Sequence, residues 1–63
     1  MFIDKRIVRK NFVKRHEDEL DVLKGEEVRV IGELPNSQGK WLKVEKSSDG
    51  KLGFVPANFL VAW

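Results

Sequence analysis

The sequence contains no cysteine, one histidine and no long hydrophobic run. Without cysteine the chain forms no disulfide and no thiolate metal site, and nothing indicates a small secreted scaffold. No apolar stretch approaches the ~20 residues of a membrane-spanning helix, and residues 1–4 lack the hydrophobic segment of a signal peptide. We therefore expect a cytoplasmic protein with no membrane span, whose stability comes from a hydrophobic core alone.

The residues that usually carry enzyme chemistry are also scarce. His16 lies in a charged stretch, and Ser47 and Ser48 lie in a turn with no sequence signature of an activating base. The five glycines are scattered among turns, so the chain has no phosphate-binding loop. The acids at 17–21 lack the spacing of an EF-hand. These absences predict a protein that is not an enzyme and that has no catalytic residues, no cofactor and no metal site.

Charge is abundant and unevenly distributed. Charged residues make up 35% of the chain, and the net charge at pH 7 is +2. Cations dominate residues 5–15, and a run of acids follows over 17–27. This polarity can steer a charged partner, but a solvated surface of mixed sign explains it equally well.

Apolar residues alternate with polar ones at a period of two, which predicts strands rather than helices. Five strands are expected, one opening at Ile7 and the others near 27–30, 41–46, 51–55 and 60–62. The pair Asp49-Gly50 predicts a hairpin between the third and fourth strands. Ala57–Phe59 is too short for an α-helix and predicts a single 3₁₀ turn.

Five short strands with no helix to cover them must curl to bury one face, which predicts a small all-β barrel. The longest connection runs from Asn11 to Glu19 and is almost wholly polar. Loops of this length in a small domain tend to be functional.

Several fragments occur in an order that resembles an SH3 domain. They are Val8–Phe12, Glu17–Leu20, Lys24–Glu26, Trp41 and Gly53–Leu60. The resemblance covers roughly 6–62 and implies a five-stranded SH3-like barrel with one short 3₁₀ turn. It places an RT loop at 11–19, a second loop at 32–40 and a distal hairpin at 46–51. We expect residues 1–63 to form a single SH3-like domain, as a module of a longer protein.

The resemblance also implies a set of core positions that agree with the alternation of apolar residues. They are Val8, Leu20, Val22, Val28, Val30, Val44, Val55 and Leu60. Gly53 fits a crowded position of the barrel, where a side chain would clash.

SH3 domains bind proline-rich segments of partner proteins, in adaptor, signalling and cytoskeletal settings. Such a segment is already ordered as a polyproline II helix, so docking it costs little entropy. By position, the groove residues here would be Phe12, Trp41, Phe54, Pro56, Asn58 and Phe59, with Phe54 flanking Trp41 and Asn58 donating a hydrogen bond. Glu17, Asp18 and Glu19 would form an acidic pocket for an Arg or Lys of the ligand, with Glu19 in the leading position.

Simpler explanations exist for each of these residues. Phe12 and Phe59 can pack together as a minor cluster, and Pro56 can simply end a strand. Asn58 can cap the short turn, and the acids at 17–19 can be a solvated loop.

The first-strand motif departs from the family pattern. Lys10 stands where a tyrosine normally walls one proline pocket, and Phe12 and Phe59 lack the hydroxyl groups of the usual tyrosines. At ~1 kcal/mol for each missing hydroxyl, together with the altered pocket, the affinity falls about ten- to a hundredfold. Lys10 can in turn pair with an acidic residue of a ligand. We therefore expect a weak or unconventional binder of proline-rich or Arg/Lys-containing peptides.

The same sequence leaves other partners open. Some SH3 domains with phenylalanine at the position of Phe59 bind ubiquitin on this face, and an intramolecular segment is a further candidate. Nucleic acid or anionic lipid could bind the basic region 5–15, but its cations are not interleaved with exposed aromatics, so no nucleic acid is expected. A Tudor-like aromatic cage for methyl-lysine fits the Pro56–Phe59 block less well.

Overall fold

A computed structural model describes residues 4–62. Its strands are β1 (Asp4–Val8), β2 (Glu27–Glu33), β3 (Trp41–Lys46), β4 (Leu52–Pro56) and β5 (Leu60–Ala62), with one 3₁₀ turn at Ala57–Phe59. All pairings are antiparallel, and the strand order in the sheet is β4-β3-β2-β1-β5. Residues 4–62 contain no α-helix. The predicted five-stranded all-β fold with a single 3₁₀ turn is confirmed.

The core is made of small branched side chains from the inner face of the curled sheet. Its buried members are Val8, Leu20, Val22, Val28, Val44, Val55 and Leu60, all predicted. Val30, also predicted to be in the core, is half-buried and packs against the others. A register shift between β2 and β3 lies directly beside it, between Val30 and Gly32.

The β3–β4 hairpin positions Trp41 and Pro56 next to each other. Its turn covers 47–50, where Gly50 has a φ of +74° and donates its N–H to the carbonyl of Lys46 at 2.9 Å. The carboxylate of Asp49 accepts the N–H of Lys51 at 3.0 Å, as expected for an Asp-Gly turn. The register from this turn pairs Trp41 with Pro56 at the far end of the hairpin.

The RT loop folds back over the barrel and is held at two places. Near its base, Phe12 and Val22 exchange backbone hydrogen bonds of 2.9 and 3.0 Å. At its tip, Phe54 of β4 donates its N–H to the carbonyl of Asp18 at 2.9 Å and accepts the N–H of Leu20 at 3.1 Å. These bonds fix the position of the RT loop relative to the start of β3.

Candidate functional site

Three aromatic rings from separate parts of the chain meet at one end of the barrel. Phe12 comes from the RT loop, Trp41 from the start of β3 and Phe59 from the 3₁₀ turn. The ring centroids lie 5.9 Å apart for Phe12 and Trp41 and 5.4 Å apart for Phe12 and Phe59, both edge to face. All three rings are half-buried, so each keeps some surface open to a ligand.

Two neighbouring hollows surround these rings and share Trp41 and Pro56. The larger hollow, of about 690 Å³, is lined by Asn11, Phe12, Val13, Arg15, His16, Glu19, Trp41, Pro56 and Phe59. The smaller hollow, of about 440 Å³, is lined by Gly39, Lys40, Trp41, Pro56, Ala57 and Asn58. We call the two hollows together the groove. Its apolar walls with a few polar groups are typical of a binding site for an extended ligand.

The three acids of the RT loop occupy different environments. Glu19 lines the larger hollow but is only 8% exposed. Its carboxylate oxygen Oε1 accepts the N–H of Arg15 at 2.8 Å, and its own N–H donates to the carbonyl of His16 at 3.0 Å. Glu17 and Asp18 are exposed and line neither hollow. The structure therefore brings one of the three predicted acids to the groove.

Lys10 lies directly against the aromatic cluster. Its ammonium nitrogen is 4.3 Å from the centroid of the Phe59 ring, within the range of a cation–π contact. The side chain that replaces the usual tyrosine thus occupies one face of Phe59.

The remaining predicted residues divide between the groove and its support. Asn58 is exposed and lines the smaller hollow beside Trp41, and no side chain caps the 3₁₀ turn. Phe54 pairs with Lys43 and lies on the same sheet face as Trp41, but it lines neither hollow. Its backbone instead holds the tip of the RT loop.

Comparison with known proteins identifies the family. The sequence profile of the SH3 domain matches residues 7–57, which is most of the chain. The chain belongs to the SH3 domain family. Among solved structures it is similar to the SH3 domain of yeast NBP2, with a TM-score of 0.83 and 23% identity, covering 95% of this chain and 97% of that one. At this identity the likeness concerns the fold. Comparison with curated protein sequences finds no significant match.

Membership in the family fixes the general role of the chain. An SH3 domain is a protein–protein interaction module that is generally non-catalytic and typically binds proline-rich peptides.

Within residues 4–62, no group of three or more His, Asp or Glu side chains is placed to hold a metal ion. Over the same range, no helix is long and apolar enough to cross a membrane.

Several lining residues of this SH3 domain were missed by the sequence reasoning. They are Asn11, Val13, Arg15, His16, Gly39, Lys40 and Ala57. Most belong to loops, where no periodicity says which side chains turn towards the groove. Two signals pointed in their direction: four of them lie in the long connection from Asn11 to Glu19, and the others are close in sequence to Trp41 and Asn58.

Three cations of the basic segment 5–15 of the SH3 domain have acceptors nearby. The Arg6 guanidinium pairs with Asp4 at 3.1 Å, and the Lys5 ammonium lies 3.8 Å from Glu27. The Lys14 ammonium donates to the carbonyl of Glu17 at 3.3 Å. Each of these three cations therefore already contacts an acceptor on the protein itself.

Another depression, of about 480 Å³, lies near the distal hairpin. Its charged side chains have partners: Glu27 contacts Lys5 and the Ser47 hydroxyl, Arg29 pairs with Glu45, and Lys46 pairs with Glu26 outside the depression. Among residues 4–62, no aromatic side chain lines it. Its polar groups already have partners, so the groove at the other end of the barrel is the better candidate site.

Proposed function

We propose that this SH3 domain binds proline-containing segments of partner proteins through the groove around Trp41. One observation carries the proposal: Phe12, Trp41 and Phe59 converge from three elements onto an open groove next to Pro56. The flat faces of aromatic rings suit the rings of prolines, and a polyproline II ligand is extended and pre-ordered.

The groove also offers hydrogen-bond donors for the carbonyl groups of such a ligand. The indole N–H of Trp41 donates to no other residue within 4–62, and the side-chain amide of Asn58 is exposed beside it. A polyproline II helix has no internal hydrogen bonds, so its carbonyls can accept from both groups.

The binding role of Glu17, Asp18 and Glu19 towards a ligand cation stays a prediction. Glu19 is the only one of the three that lines the groove. Arg- and Lys-containing peptides therefore belong in the first binding panel. Ubiquitin belongs there too, because Phe59 presents a ring without a hydroxyl on this face.

We further propose that residues 1–63 act as a single interaction module. Each of the five strands contributes a buried side chain to one hydrophobic core, and two further members come from the segment between β1 and β2. Such a core can support one binding face without a second domain.

The proposal is tested by measuring the affinity of a panel of proline-rich peptides for the wild type and for two variants. Trp41→Lys should abolish binding without unfolding the domain, because it removes the central wall and donor of the groove. Leu52→Lys is the matched control, since Leu52 is 52% exposed and lies near the opposite end of the β3–β4 hairpin. Retained affinity in Trp41→Lys, or equal loss in both variants, would place the binding site elsewhere.

A further inference from the structure

Three cationic side chains lie at the rim of the groove. Lys10 lies over Phe59, Arg15 lines the larger hollow, and Lys40 lines the smaller one. Within residues 4–62, none of these three side chains forms an ion pair with a carboxylate. All three residues are exposed, so their charges are accessible to a bound ligand.

The groove presents less accessible negative charge than positive charge to a ligand. Among residues 4–62, Glu19 is the only acid that lines the groove, and it is 8% exposed. One of its oxygens already accepts the N–H of Arg15 at 2.8 Å, and the Arg15 side chain lines the same hollow. A cationic ligand residue would therefore meet a largely covered carboxylate beside an existing guanidinium. An anionic ligand residue would meet exposed and unpaired cations.

The position of Lys10 links this charge pattern to the proline pocket. A proline docked against Phe12 and Phe59 has to share the Phe59 ring with the Lys10 ammonium, 4.3 Å from its centroid. A carboxylate next to that proline would give the displaced ammonium a new partner. A basic residue in the same place would add repulsion.

We propose that the groove prefers proline-containing segments that carry Asp or Glu next to the proline, with Lys10 as the specificity-determining residue. This preference rests on the proposed function, because it concerns the same groove. It is opposite in sign to the basic preference that the acidic run of the RT loop predicts.

The test uses three proline-rich peptides of otherwise identical sequence. The residues that flank the prolines are Glu in the first peptide, Gln in the second and Lys in the third. Exposed charge pairs have modest energies, so the Glu peptide should bind about three- to tenfold more tightly than the Lys peptide at low salt. The Gln peptide should lie between them. Because exposed charges are screened, the difference should shrink as the salt concentration rises.

Two charge-reversal variants assign the effect to the groove. Lys10→Glu should remove or invert the preference for the Glu peptide. Lys51→Glu makes the same change in net charge within the distal hairpin, at an exposed residue that lines neither hollow, and should keep the preference.

The outcomes separate this inference from the proposed function. If proline peptides bind in the groove but the Lys peptide binds as well as or better than the Glu peptide, the inference is wrong and the proposed function stands. The inference is also wrong if Lys10→Glu and Lys51→Glu behave alike. If no proline peptide binds whatever its charge, the proposed function fails and the inference fails with it.

Discussion

Gly53 lies where β4 packs tightly against the end of the RT loop, and replacing it with alanine should destabilise the domain strongly. A Cβ atom at this position would lie 2.7 Å from the Cβ of Leu20 and 3.0 Å from the carbonyl carbon of Glu19. Neither neighbour is the free end of a flexible side chain. Gly53→Ala must therefore push the tip of the RT loop away from β4.

The expected cost follows from the contacts at this point. Forcing an extra methyl group into a packed position costs about 1–3 kcal/mol. The displacement also stretches the bonds from Phe54 to Asp18 and Leu20, now 2.9 and 3.1 Å, with a net value of about 1 kcal/mol each. If both bonds are lost, we expect a cost of about 3–5 kcal/mol, a large share of the roughly 3–9 kcal/mol typical of a domain of this size.

Urea unfolding followed by circular dichroism measures this loss as a change in the free energy of unfolding. Gly32→Ala is the matched control, because a Cβ there would meet only the Cβ of Lys43 at 3.9 Å, an ordinary contact. Its effect should stay within about 1 kcal/mol, the usual size of a Gly-to-Ala change without strain. If the two variants lose the same free energy, Gly53 does not hold the RT loop against β4.

The remaining predictions concern the groove and its rim. Lys10→Tyr should raise the affinity for a proline-rich peptide without acidic residues by about three- to tenfold, because a ring then replaces an ammonium in the proline pocket. Calorimetric titration measures this affinity, and an unchanged or lower value would contradict the prediction. Glu19→Ala should lower the free energy of unfolding by about 1–2 kcal/mol, since the N–H of Arg15 loses its acceptor. Glu19→Gln keeps an acceptor oxygen and should cost less, so equal losses in urea unfolding would refute the structural role of that hydrogen bond.

The sequence allowed most of the fold to be predicted, because alternation and turn chemistry act locally. The 3₁₀ turn at Ala57–Phe59 and the last strand lie where they were expected. β1 begins at Asp4, earlier than predicted. Its hydrogen bonds to β2 join backbone groups, so the side chains do not reveal where the strand begins. Val30 is less buried than predicted and lies next to the register shift between β2 and β3, a local irregularity that alternation does not reveal.

The groove was predictable only where the family resemblance supplied positions. Phe12, Trp41 and Phe59 come together as the resemblance implied, although their binding roles remain predictions. The resemblance put Glu19 first among the acids of the RT loop, and Glu19 is the one that lines the groove, although side-chain chemistry alone does not distinguish it from Glu17. The backbone hydrogen bonds from Phe54 to Asp18 and Leu20 hold this part of the loop, and they join positions distant in sequence that local patterns do not reveal.

Chemical-shift mapping by NMR tests the central claim most directly. The ¹⁵N-labelled domain is titrated with proline-rich peptides of each flanking charge, and the indole N–H of Trp41 is followed together with the backbone amides. We predict concentration-dependent shifts at Trp41 and around the groove, at Phe12, Arg15, Glu19, Asn58 and Phe59, while the distal turn at 47–50 stays unchanged. If the Trp41 indole and these amides stay still for every peptide, or if the shifts cluster at 47–50, the groove is not the binding site.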